Sequence, residues 1–154
     1  MNNVLTTLLT TLFFALLGNI ACANYNENCA MMIDEPNDPD EFAEVLGKKI
    51  YFCCGVCVKA FKNQTAYYIK ALPSLAKFFN DEEKKKLGVD KVKLLSQRFC
   101  PVFTKRIVNP DSTFVEYKGK KIYLWSFSAL RRWNSDPDKY FKEAMDRGDL
   151  PQYK

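Results

Sequence analysis

The chain contains one stretch of itself twice, and this constrains its fold more than any other feature. Residues 29–73 lay over residues 100–145, with one extra residue in the second copy near Ser112 or Thr113. "CAMM" meets "CPVF" and "NDPD" meets "VNPD". "FAEVLGKKIYF" meets "FVEYKGKKIYL", and Phe61 and Tyr68 meet Trp133 and Tyr140. A unit that recurs at this length is one small supersecondary structure used twice.

Each copy reads the same way. Apolar and polar residues alternate on either side of a Gly-Lys pair (Gly47-Lys48, Gly119-Lys120), which signals a β-hairpin with its turn there. Val58, Phe61, Tyr68, Ile69 and Leu72 then recur at spacings that share a helical face, and Pro73 ends the run. Leu130, Trp133, Tyr140, Phe141 and Ala144 repeat the pattern. Ser135 and Asp136 before Pro137 mark a second helix start, so this helix is expected in two pieces. Between the copies, "LAKFFNDEEKKKLGVDKVKLLSQR" is charged with an apolar stripe, as for one or two linking helices whose "DEEKKK" run is a solvated face. The fold class is α+β: two hairpin-helix units joined by a helical connector.

The first 26 residues carry no charged side chain. The apolar "LFFALLG" and the small-x-small "ACA" at 21–23 fit a signal peptide cleaved after Ala23. Lipidation at Cys22 and a retained anchor are the alternatives. The expected organisation is a signal peptide (1–23), a first module (24–73), a helical linker (74–96) and a second module (97–154). The product would be secreted or held in a periplasm or cell envelope, with no membrane span after cleavage. Net charge is only +5 and no arginine stripe interleaves with aromatics, so no nucleic-acid partner is expected.

No histidine occurs anywhere. That excludes Cys-His and Ser-His nucleophile pairs, Cys2His2 zinc sites and histidine proton shuttles. The chemistry therefore rests on "IYFCCGVCVKAF", which holds Cys53, Cys54 and Cys57 at the junction of a strand and a helix. Thiols on the first turn of a helix share a face and meet the positive end of its dipole, so they are expected as thiolates, ready for soft metals or disulfides. Cys29 precedes the hairpin and can fold back onto them. In the second copy Trp125, Ser126 and Ala129 replace these three cysteines, and only Cys100 remains. Trp125, Phe127 and Trp133 are expected to fill a core there, or to offer a surface to a protein partner.

These residues resemble the YHS/TRASH family of small metal-binding modules. The likeness lies in the early cysteine of "CAMM" and "CPVF", the Gly-Lys hairpin, and "YFCCGVC" leading into a helix with Phe61 and Tyr68. It covers both repeats, although the Tyr-His-Ser signature is missing and the second copy lacks the Cys-x-x-x-Cys pair. The resemblance implies treble-clef-like modules, with Cys29, Cys53 and Cys57 as metal ligands and Cys54 as an additional thiol. It implies one zinc or copper(I) per chain, held by a non-enzymatic protein of metal sensing, trafficking or detoxification. Met31, Met32, Asp34, Cys54 or a water are the candidates for a fourth ligand. The alternatives are a thiol-disulfide oxidoreductase using Cys54 and Cys57, or a disulfide-held interaction module.

Overall fold

The structure is a computed structural model that describes residues 26–32 and 34–154; the expected signal peptide and its cleavage point lie outside the described residues. It is α+β. Strand β1 (Asp38–Val45) pairs antiparallel with β2 (Lys48–Phe52), and helices α1 (Gly55–Asn63) and α2 (Thr65–Ala71) follow. The connector holds α3 (Pro73–Ala76), α4 (Asp81–Lys86) and a 3-10 turn at Val89–Lys91. The second repeat then gives β3 (Thr113–Tyr117), β4 (Lys120–Leu124), α5 (Phe127–Ser135) and α6 (Pro137–Arg147).

The repeat holds in three dimensions, down to the register of its hairpins. Phe42 faces Tyr51 as Phe114 faces Tyr123, and Val45 faces Lys48 as Tyr117 faces Lys120. The turn sits one residue earlier than the Gly-Lys pairs suggest. Leu46 and Gly47 form it in the first copy (φ 50° and 76°), Lys118 and Gly119 in the second (φ 46° and 74°). Two consecutive positive φ values define a type I′ turn, whose twist matches that of the strands it joins. Glycine takes the second place without cost, whereas Leu46 and Lys118 accept a conformation that side chains disfavour.

Both long helices are broken. In the second copy Asp136 caps α6 by accepting from the Lys139 N–H at 3.1 Å, and Pro137 opens it. In the first copy the expected single helix also divides, at Gln64 (φ −137°, ψ 42°), with no proline to force it. The Phe61 carbonyl accepts there from both the Gln64 N–H and the Thr65 hydroxyl.

A further shared device sits just ahead of each early cysteine. Asn26 donates to the Tyr51 carbonyl at 2.8 Å and accepts from the Tyr51 N–H at 3.1 Å. Gln97 does the same to Tyr123, at 2.7 Å and 2.8 Å. Each amide side chain acts as a fragment of a third strand and satisfies backbone groups that a two-stranded sheet leaves open.

The buried residues form two clusters. The first gathers Ile50, Phe52, Phe61, Tyr68, Ile69 and Leu75 with Cys29 and Cys57, and it includes Ile107 from the second repeat. The second gathers Ile122, Leu124, Trp133 and Leu150 around Cys100. Here aromatic rings supply the bulk: Tyr117 meets Trp133 edge-on at 5.5 Å, and Tyr140 stacks on Trp133 at 6.5 Å. The DEEKKK run of the connector is solvated as expected, with none of α4 buried. Leu75, Phe79 and Val89 on either side of it are buried in the first core, and α4 itself is tied down. Asn80 and Glu83 form a capping box, and Lys48 bridges to Glu83 at 2.6 Å.

The repeats also join through side chains. Asn109 donates to the buried Tyr68 hydroxyl at 2.8 Å, Arg98 to the Ala71 carbonyl at 3.0 Å, and Lys105 pairs with Asp34.

Candidate metal centre

Four cysteines meet where β2 runs into α1. Cys29 reaches the place because its backbone N–H donates to the Glu35 carbonyl at 2.8 Å, closing a tight loop before the hairpin. The Ala30 N–H donates to the Tyr51 carbonyl at 3.4 Å and lays that loop against β2. Cys53 follows β2 directly, Cys54 is the N-cap of α1, and Cys57 lies in its first turn. The sulfurs of Cys29, Cys53 and Cys57 all lie within 4.8 Å of one another. Among the described residues this is the one group of three such ligand residues whose donor atoms converge.

The spacing is informative. Cys53 and Cys57 sulfurs are 3.8 Å apart, Cys54 and Cys57 3.7 Å, and Cys53 and Cys54 3.8 Å. A metal–sulfur bond of about 2.3 Å requires sulfur pairs about 3.8 Å apart in a tetrahedral shell and about 4.0 Å in a trigonal one. All five cysteines among the described residues are free thiols. Cys29 and Cys57 are fully buried, while Cys53 and Cys54 are half-buried, so the cluster has a closed floor and an accessible rim.

The expectation that all first-turn thiols ionise readily is corrected. The Cys57 thiol beside Cys29 favours a thiolate there and holds Cys29 down to about 5, against the opposing effect of burial. Cys29 in turn, together with burial, pushes Cys57 well above the ordinary thiol range. Burial first, and then the hydrogen bond with Cys29 and the charge on it, push Cys53 up to about 11. For Cys54 burial opposes ionisation, but backbone N–H groups at the helix start and the adjacent thiols outweigh it, and its pKa is lowered. The four sulfurs share protons, and one buried thiolate discourages the next.

The other candidates separate clearly. Met32 places its sulfur 3.9 Å from that of Cys53, whereas Met31 is buried in the core. Asp34 is exposed and paired with Lys105, so it is engaged away from the thiols. Cys100 is fully buried, and its sulfur accepts from the Phe103 N–H at 3.4 Å. Ala129, at the place of Cys57, is fully buried and offers no donor. Trp133 fills the second core, and Trp125 packs against both clusters. Phe127 is 68% exposed, which corrects its expected place in the core and leaves it open to solvent.

One residue at the site escaped the sequence reading. Arg106 donates from Nη1 to the Cys57 sulfur at 3.4 Å, and its guanidinium lies over the Trp125 ring at 5.3 Å. The only signal in the sequence was its alignment with Glu35, a residue of opposite charge at the same place in the first copy. Among the described residues no helix is long and apolar enough to cross a membrane. Comparisons of the chain with protein-family models, with curated proteins and with solved structures give no match.

Proposed function

We propose that this protein binds one thiophilic metal ion, zinc or copper(I), through Cys29, Cys53 and Cys57. The observation that carries this reading is the convergence of three sulfurs, two from one helix start and one from across the hairpin, within 4.8 Å. Local sequence alone brings Cys53 and Cys57 together; Cys29 needs the fold. Copper(I) is satisfied by three thiolates, while zinc requires a fourth donor. Met32 and Cys54 are the neighbours suited to that role, since both sulfurs already lie within 4 Å of the Cys53 sulfur.

The order of one cysteine, a hairpin, a Cys-x-x-x-Cys pair and a helix supports a treble-clef-like module and the YHS/TRASH resemblance. In this reading the second module is a metal-free copy, stabilised by Trp133 and its aromatic neighbours in place of an ion. The protein is exported, has no catalytic role, and carries its ion for sensing, trafficking or detoxification. The half-buried rim formed by Cys53 and Cys54 suits an ion that is exchanged with another donor. The test is the metal content of the protein purified without oxygen and with reductant, together with its melting temperature before and after chelation. About one equivalent of metal and a lower melting temperature after its removal are expected, because an ion bound only by the native state stabilises it.

A second reading is thiol-disulfide exchange by Cys54 and Cys57. It is favoured by an accessible Cys54 of lowered pKa, 3.7 Å from a buried partner. Against it, Cys53 lies within 3.8 Å of both sulfurs, a crowding that a two-thiol exchange has no use for. Catalysed reduction of an added disulfide by the metal-free protein would favour this second reading.

A further inference from the structure

The second repeat has lost the thiols, yet it reaches the site of the first. Arg106 is fixed by its own backbone: its N–H donates to the Phe103 carbonyl at 2.8 Å, and its carbonyl accepts from the Cys100 N–H at 2.9 Å. The next residue, Ile107, is buried in the first repeat's core. From this anchored position the guanidinium lies over Trp125 and donates to the fully buried Cys57 sulfur. In the first repeat the same loop position holds Glu35, which is exposed. The chain thus sets a base against the thiols where a faithful copy would have set an acid.

We infer that Arg106 is an outer-sphere cation of the metal centre and biases it toward copper(I) over zinc, an inference that rests on the metal-binding reading above. Three thiolates around copper(I) leave two net negative charges, and around zinc completed by the neutral Met32 thioether only one. A neighbouring positive charge stabilises the first complex more, and does so in a half-buried setting where Coulomb attraction is less screened than in open water. A guanidinium also stays protonated whatever the thiols do, and it donates without competing for the metal. Trp125, standing where the first copy has Cys53, gives that guanidinium an aromatic face to rest on.

The experiment is competition titration of the reduced full-length protein with copper(I) and, separately, with zinc, each against a chelating dye. Arg106→Met is compared with the parent, and Arg106→Gln keeps a hydrogen-bond donor without the charge. Both variants should lose about 10–100-fold in copper(I) affinity, the usual effect of removing an outer-shell partner, and clearly less in zinc affinity. Arg106→Lys, which keeps the charge, should regain part of the copper(I) loss. Copper(I) affinity within twofold of the parent in Arg106→Met, equal losses for the two ions, or full recovery in Arg106→Gln would each overturn the role of Arg106 and leave metal binding intact. A parent protein that takes up neither ion overturns both readings. Matching melting curves of the metal-free parent and variants exclude misfolding as the cause of any loss.

Discussion

Cys54 and Ser126 occupy the same place in the two repeats, the N-cap of the helix after the hairpin, and only Ser126 caps its helix. The Ser126 hydroxyl accepts from the Ala129 N–H at 3.3 Å, while the Cys54 side chain makes no capping bond. A thiol is a weaker acceptor than a hydroxyl, so the backbone N–H groups of Val56 and Cys57 that favour the Cys54 thiolate are held less firmly than Ser126 holds Ala129. Local stability is given up at the position where a sulfur adjoins the cluster.

Restoring the cap should therefore stabilise the metal-free protein. Cys54→Ser is expected to gain about 0.5–1 kcal/mol, seen as a higher melting temperature of the reduced apo form. The same variant should still bind one metal equivalent if copper(I) is the ion, because Cys29, Cys53 and Cys57 remain.

Metal affinity should rise steeply with pH. The pKa values of Cys53, at about 11, and of Cys57 are both raised, so both sulfurs carry protons at neutral pH and must release them to the ion. Cys29, with its pKa held down to about 5, is already a thiolate there and contributes only in more acidic solution. Release of protons on binding means that raising the pH favours the complex, by about two logarithmic units of affinity per pH unit near neutrality. The dependence should steepen toward about three units in the acid range, where Cys29 also gains a proton. Competition titrations across pH measure both slopes, and a flat profile would mean that the thiols are not the ligands.

Gln97→Ala should be among the most damaging substitutions outside the cysteine cluster. Gln97 is only 1% exposed and bridges the N–H and carbonyl of Tyr123 as well as the Phe99 carbonyl. Its removal leaves buried backbone groups without partners, at a cost of about 2–3 kcal/mol. Urea unfolding of the full-length variant checks this, and a change under about 0.5 kcal/mol would mean that water substitutes for the amide.

The hairpins and the helices that follow them could be read from the sequence because alternation and helical spacing occur twice, each copy checking the other. The turn was misplaced by one residue because Leu46 gives no hint that it accepts a positive φ. Gln64 is a similar case: the first helix breaks there without proline, at the place where Asp136 and Pro137 break the second. The shared geometry of the unit, and not local preference, sets that break. Asn26 and Gln97 lie three residues upstream of Cys29 and Cys100, in a stretch where the two copies share nothing but an amide side chain, too little to mark a structural role. The clustering of Cys53, Cys54 and Cys57 was legible from their spacing, and Cys29 from the small size of the unit. Arg106 was not, because it lies 49 residues beyond Cys57 and its approach depends on how one repeat packs against the other.

The central claim is that the first repeat alone supplies the ligands. Titrating the reduced full-length protein with copper(I) or zinc, beside Cys29→Ser, Cys57→Ser and Cys100→Ser, tests it most directly. The account predicts one tight equivalent in the parent and in Cys100→Ser, and its loss in Cys29→Ser and Cys57→Ser. A parent that binds no ion, a full tight equivalent retained in Cys57→Ser, or loss of the ion in Cys100→Ser would contradict it.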